Sequence, residues 1–307
     1  MEYFGALALC CFAAFLLSLC ASVSLWFSPR YTSHVLTLKE LRLLLDERGL
    51  RPRHALGQNF LIDHNLLNKL VDAAGVGSGD VVLEVGPGPG QLTEALLSRG
   101  AQVVACELDD GLSELLEDRL ADTAAGRLTL IRGDCLESKT RLNPRLVSAL
   151  CGRPFKLVAN LPYGAASPLM LTLLLKHPEC ASLHVTIQKE VAHRLAAPPG
   201  SRDYGELSVI AQSLATIERI ADAPPECFWP RPKVTSAMIS ITRRAQPLTQ
   251  DADSLERLCK RLFQKRRKQL GAILGRDVAW PEGIEPSMRP EQLSVEQIEA
   301  LAKVVGE

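Results

Sequence analysis

From residue 36 onward the apolar positions follow two periods in turn. Leu38, Leu41, Leu44 and Leu45 fall on one side of a charged segment that stops at Gly49, which predicts an amphipathic helix over 36–48. A further helix is predicted over 65–74. Short, continuous apolar runs then alternate with helical patterns. Strands are predicted at 81–83, 102–106, 128–131, 155–159, 182–188 and 237–242, with helices at 91–99, 112–120 and 189–197 between them. Strand and helix in alternation predict an α/β fold on a mostly parallel sheet, with ligands at the carboxyl ends of its strands.

The junction at 84–107 carries the first chemistry. Strand 81–83 closes on Glu84, and a Gly86-Pro87-Gly88-Pro89-Gly90 loop opens the following helix. Glycines there let backbone N–H groups approach a ligand closely, at the positive end of the helix. Glu107 ends the second strand, about 20 residues beyond the first glycine, where a carboxylate can accept both hydroxyl hydrogens of a ribose. An acid two residues before the first glycine suits a cationic ligand better than a pyrophosphate. The pattern Glu84, Gly86, Gly88, Gly90 therefore favours S-adenosylmethionine, with its sulfonium and ammonium groups, over a nicotinamide dinucleotide. A glycine turn that binds nothing is the third reading.

Further strand tips extend the site. Asp134 follows the strand at 128–131 and can accept from the amine of an adenine, although an Asp in a loop also serves as a cap or turn residue. Asn160-Leu161-Pro162-Tyr163 follows the strand at 155–159: Asn160 and the neighbouring carbonyls can accept from an exocyclic amine, and Tyr163 offers a stacking face. The segment 51–61, basic, then polar, then apolar, reads as a loop carrying ligand contacts. Residues 198–205 read as a loop over the substrate or a plain surface turn. Phe228, Trp229, Pro230, Arg231, Pro232 and Lys233 combine aromatic rings, rigid prolines and cations, suited to a base and a phosphate backbone.

Net charge over 307 residues is zero, so only its distribution informs. Arg257, Lys260, Arg261, Lys265, Arg266, Arg267, Lys268 and Arg276 follow one another without an intervening acid, which favours phosphate contact over a merely solvated face. The nine cysteines form no C-x-x-C pair and have no zinc-type histidine spacing, so no metal and no disulfide framework is expected, in keeping with a reducing, cytoplasmic setting. Residues 3–27 lack any charge and are long enough to span a bilayer. A membrane anchor, a signal peptide without its basic start, and translated sequence upstream of the true start compete for that run.

These segments, in this order, resemble one family. Gly57-Gln58-Asn59-Phe60-Leu61, the Glu84–Gly90 loop, Glu107, Asp134, Asn160-Leu161-Pro162-Tyr163, Gln188-Lys189-Glu190-Val191, Tyr204-Gly205, Phe228-x-Pro230-x-Pro232-Lys233 and Phe263-Gln264-x-Arg266-Arg267-Lys268 are similar to motifs of the small-subunit ribosomal RNA adenine N6,N6-dimethyltransferases. The resemblance runs from about residue 36 to the C-terminus. It implies a Rossmann-like class I S-adenosylmethionine-dependent methyltransferase: a seven-stranded sheet, its last strand antiparallel, in a domain over 34–244, followed by a small all-helical RNA-binding domain over 245–307. It further implies dimethylation of two adjacent adenosines in the 3′-terminal hairpin of small-subunit (16S) rRNA, within a pre-30S particle, by a monomer. By the same resemblance Asn59, Leu61, Gly86, Glu107, Asp134 and Asn160 would contact S-adenosylmethionine, and Asn160 to Tyr163 would hold the target adenine. Gly164 stands where the family carries Asn. The alternatives are a large-subunit rRNA adenine methyltransferase of the antibiotic-resistance type and a non-catalytic RNA-binding assembly factor.

Overall fold

A computed structural model describes residues 36–124 and 126–306. The apolar run at 3–27 and Cys10, Cys11 and Cys20 lie outside the described residues. Among the described residues no helix is long and apolar enough to cross a membrane.

The strands, in chain order, are β1 (Phe60–Leu61), β2 (Val81–Val85), β3 (Gln102–Glu107), β4 (Leu128–Arg132), β5 (Leu136–Ser138), β6 (Arg141–Leu142), β7 (Phe155–Asn160), β8 (Cys180–Gln188), β9 (Ala215–Ala223), β10 (Phe228–Trp229) and β11 (Ser236–Arg243). Seven of them form the main sheet in the order β4-β3-β2-β7-β8-β11-β9. Pairing from β4 through β8 is parallel, and β11 runs antiparallel to both β8 and β9. The last strand in sequence is antiparallel in a seven-stranded sheet, as the resemblance implied, and inserts between β8 and the edge strand β9. Two small antiparallel pairs, β1 with β10 and β5 with β6, lie outside the sheet.

The sequence accounts for most of these elements. Every residue of β2 is buried, as a continuous apolar strand covered on both faces requires. Leu66, Leu67, Leu70 and Val71 of the helix His64–Ala73 and Leu92, Leu96 and Leu97 of the helix Gln91–Ser98 cover one face of the sheet. Leu169, Met170 and Leu173 of the helix Tyr163–Lys176 and Leu207, Ile210 and Ala211 of the helix Glu206–Leu214 cover the other. The C-terminal helices Ala252–Gln264 and Val295–Val305 add Leu255, Leu258, Leu262, Ile298 and Leu301 to that second core without a break. Ser294 caps the last helix through a capping box with Gln297, as its Ser-x-x-Gln pattern predicts. Arg243 closes the far end of the helix Tyr163–Lys176: its guanidinium donates to the carbonyls of Leu173, Leu174 and His177 at 3.0–3.1 Å. That helix points its N-terminus at the site described next.

Candidate active site

At the carboxyl ends of β2, β3, β4 and β7 a cavity of about 950 Å³ opens. Asn59, Gly86, Gly88, Glu107, Asp134 and all four residues Asn160 to Tyr163 line it, so the separate sequence signals converge on one space. Two predicted contacts do not reach the wall. Leu61 pairs with Phe228 in the β1–β10 ladder and is buried in the core, and Glu84 is buried to 1 % exposure behind the glycine loop.

The glycine loop is shaped by backbone geometry. Gly88 has φ +54°, and a Cβ on it would come within 2.9 Å of the Phe60 ring. Gly86, at φ +71°, presses against Pro162, where a Cβ would meet the ring at 3.2 Å. The loop is thereby held between the 53–60 segment and the Asn160–Tyr163 turn. The Gly88 N–H donates to Oε2 of Glu107 and the Asp109 N–H to Oε1, both at 3.0 Å. These bonds fix the carboxylate and leave each oxygen a further lone pair toward the cavity. Burial raises the Glu107 pKa while the two N–H groups hold it down. For Glu84, burial pushes the pKa up to about 8; the Thr93 hydroxyl beside it opposes the shift and the Glu107 charge adds to it. Oε2 of Glu84 has no hydrogen-bond partner. Glu107 and Asp134 line the cavity, with Glu84 and Asp109 buried behind its wall, an acidic setting that suits a cation and disfavours a pyrophosphate.

At the β7 end the Asn160 side chain is oriented by its surroundings. Its Nδ2 donates to the Asn59 carbonyl at 2.8 Å. Only the NH2 half of an amide can donate, so Oδ1 is the atom left to accept. Leu161 is fixed by its N–H, which donates to the Thr186 carbonyl on β8 at 3.1 Å. The Pro162 carbonyl accepts from Ala165 N–H at 3.0 Å and keeps one lone pair. Tyr163 shares a 2.8 Å hydrogen bond with the Ser236 hydroxyl, which sets the ring against the cavity; burial raises its pKa and Ser236 eases the shift. A Cβ at Gly164 would meet nothing within 4 Å. That open space adjoins the turn.

The residues predicted to meet RNA lie outside the cavity and divide into two groups. Phe228 is 3 % exposed and paired with Leu61, so its ring is core and not a stacking face. Trp229 beside it is half-buried, 6.4 Å from the Phe60 ring and covered by Arg42 at 5.4 Å. The Arg266 guanidinium donates to Glu291 at 2.6 Å and to the carbonyls of Arg202 and Ser201 at 2.7 and 2.9 Å. It is a tether. Pro230 is half-buried, while Lys233, Arg267 and Lys268 are exposed. Tyr204, in the segment considered as a loop over the substrate, has no exposed surface and stacks edge-on against Phe263.

Sequence reasoning missed Leu108, which follows Glu107, stays half exposed and lines the cavity as a flat apolar wall. Its position directly after the strand-tip acid was the available signal. The β5 residues Leu136 and Glu137, also on the wall, gave none. Among the described residues no group of three or more His, Cys, Asp or Glu is arranged to hold a metal ion, and the six described cysteines are free thiols.

Comparison with known proteins agrees with this geometry. The model of the ribosomal RNA adenine dimethylase family matches residues 49–306. The ribosomal RNA small subunit methyltransferase A of Phenylobacterium zucineum is 42 % identical, over 87 % of this chain and 92 % of its own length. That of Rhodospirillum rubrum is 40 % identical, over 87 % and 93 %. Among solved structures, a dimethyladenosine transferase from Plasmodium falciparum shares the fold at a TM-score of 0.64 and 22 % identity, over 78 % of this chain and 94 % of that one. The 23S rRNA methyltransferase ErmE aligns at a TM-score of 0.61 and 26 % identity, over 81 % and 100 %. The chain belongs to the ribosomal RNA adenine dimethylase family.

Proposed function

We propose that this protein dimethylates N6 of two adjacent adenosines in the 3′-terminal hairpin of small-subunit rRNA, in the cytoplasm, as a late step of ribosome assembly. The observation that carries the reading is the Asn160 amide: its NH2 is committed to the Asn59 carbonyl, so Oδ1 remains as an acceptor beside Tyr163. The names of the relatives at about 40 % identity support the small subunit as the substrate.

The residues present fit S-adenosylmethionine. The orphaned Oε2 of Glu84 and the fixed Glu107 carboxylate answer a positively charged ligand, and a cavity of about 950 Å³ is ample for a nucleoside cofactor and a base. When bound, the cofactor supplies an electrophilic methyl group on a sulfonium. In this reading Glu107 accepts from the ribose hydroxyls, Asp134 from the adenine amine, and Leu108 covers the purine; Asn59 and Gly86 supply backbone contacts. Glu84 acts from behind the loop, largely protonated in the free protein and ionised in favour of a bound cation, and Leu61 anchors the segment that carries Asn59.

The target base must be unpaired or flipped to enter. Its N6 lone pair is delocalised into the ring, so the protein's task is alignment. Asn160 Oδ1 and the Leu161 or Pro162 carbonyl accept the N6 hydrogens, which favours a pyramidal nitrogen with its lone pair exposed. Tyr163 stacks on the ring. The open space at Gly164 leaves room for a nitrogen that already bears one methyl group. Lys233, Arg267 and Lys268 contact phosphates.

The test is methyl transfer from labelled S-adenosylmethionine to small and large subunits that lack the modification. Label in small-subunit rRNA supports the reading. Label confined to large-subunit rRNA would replace it with the resistance-type activity that the likeness to ErmE brings to mind.

A further inference from the structure

One wall of the cavity, touching the glycine loop through Phe60, is a strap over residues 53–60 with little structure of its own: one 3-10 turn, His54–Leu56, then Gly57 at φ +67°. It has no sheet partner before Phe60. Its shape depends on that turn, closed by the N–H groups of Leu56, Gly57 and Gln58 donating to the carbonyls of Arg53 and His54, and on side-chain ties to the rest of the molecule. At the far end Asn160 Nδ2 donates to the Asn59 carbonyl, and Phe60 pairs with Trp229. Ahead of it, Arg53 and Gln58 are both tied to Asp109. Its Oδ2 accepts from Gln58 Nε2 at 3.2 Å and faces Arg53 Nε at 3.3 Å. Gln58 completes the circle by accepting from the Arg53 N–H at 2.7 Å through Oε1. Neither half of the Gln58 amide can turn over without losing one of these bonds.

The other atoms of Asp109 are equally committed. Oδ1 accepts from the N–H groups of Gly111 and Leu112 at 3.0 and 3.2 Å, capping the helix Asp110–Ala124. The backbone N–H of Asp109 holds Oε1 of Glu107. One residue, 3 % exposed, thus fixes both Glu107 and the strap, two parts of the cavity wall.

We propose that Asp109 is a positioning residue for the cofactor: its carboxylate latches the 53–60 strap through Gln58 and so sets the shape of the cavity wall that the strap shares with Glu107. The inference rests on the reading of this cavity as the S-adenosylmethionine site. A helix cap alone would explain Oδ1 but not the pairing of Oδ2 with two strap residues, and substitutions can separate the two roles. Asp109→Asn keeps an acceptor for the cap while turning a donor toward Gln58 and removing the charge beside Arg53. Gln58→Met cuts the latch from the strap side and leaves the cap untouched. In Asp109→Asn with Gln58→Glu the donor and acceptor are exchanged and the charge is restored next to Arg53.

The experiment is a calorimetric titration of the full-length protein and these three variants with S-adenosylmethionine, alongside melting temperatures and the KM and kcat for methyl transfer. Asp109→Asn and Gln58→Met are expected to raise Kd and the cofactor KM about tenfold or more, with kcat at saturation within about twofold and little change in melting temperature. The exchanged pair is expected to recover most of the affinity. If both single variants bind like the wild type, or if the exchanged pair binds no better than Asp109→Asn alone, the latch is wrong. Should Asp109→Asn fail to fold, Gln58→Met decides alone. Wild-type protein that does not bind the cofactor overturns the underlying reading and the latch with it.

Discussion

Asn160 shows how one amide can specify a reaction. Because the Asn59 carbonyl takes the NH2 group, the oxygen is oriented before any base arrives. Asn160→Ala is expected to lower kcat by about a hundredfold, the scale of losing one oriented group at a reacting centre, while Kd for the cofactor rises less; rapid-quench methylation and binding titration measure the two. Glu84 makes a different prediction. Its pKa is pushed up to about 8, so at neutral pH the carboxyl is largely protonated, and a bound cation favours the ionised form. Affinity for S-adenosylmethionine should therefore rise with pH from about 6.5 to 8. Glu84→Gln should flatten that rise, and titrations across the range would show a parallel curve if Glu84 had no part. These two residues were legible in the sequence because strand tips and glycine loops have fixed spacing. The direction of the Asn160 amide was not, since the Asn59 carbonyl that sets it lies 101 residues away.

At the scale of elements, β8 carries a titratable group through the core. His184 is 4 % exposed, its Nε2 lies 3.0 Å from the Ser182 hydroxyl and its Nδ1 has no partner. Burial, helped by the Lys156 charge, lowers its pKa to about 4 from 6.5. A lowered folded pKa means that this contribution to stability is full above pH 6.5 and is lost as pH falls toward 4, on the order of 3 kcal/mol in all. His184→Gln should flatten that acid limb in denaturant titrations between pH 4 and 7; an unchanged slope would mean the ring protonates freely in the fold. The strands that the sequence revealed are those with a continuous apolar run, most of them buried on both faces, although the edge strand β4 is only partly buried. The edge strand β9 escaped because the adjacent charges Glu218 and Arg219 interrupt its alternation and a bulge at Ile220, skipped between the pairs Met238–Ala221 and Ile239–Arg219, shifts the period of two. The β1–β10 pair escaped for another reason: two residues per strand leave no pattern, so Phe228 looked like a ring for RNA.

The whole molecule depends on which cations hold the protein together and which are free to meet RNA. Arg266, Arg267 and Lys268 are indistinguishable as a sequence run. In the fold Arg266 binds Glu291 and two carbonyls of the 201–202 turn, while its neighbours face solvent. Arg266→Ala is expected to cost about 1.5–3 kcal/mol of stability, the range for hydrogen bonds from a charged group. Arg267→Ala with Lys268→Ala should leave the melting temperature unchanged, weaken binding to the small subunit, and reduce the salt dependence of that binding by about two ion equivalents. Equal effects of the two substitutions on RNA binding would contradict the assignment. The partners of Arg266 are the Glu291 carboxylate 25 residues away and backbone carbonyls 64 and 65 residues away, which no local pattern encodes.

All three scales bear on one reaction, dimethylation of adenine in small-subunit rRNA at this cavity. The most direct measurement incubates the full-length protein with labelled S-adenosylmethionine and unmethylated small subunits, then resolves nucleosides from the 3′-terminal hairpin by mass. N6,N6-dimethyladenosine is expected at two adjacent positions, formed about a hundredfold more slowly by Asn160→Ala. Cofactor binding without methylation of that hairpin would contradict that function.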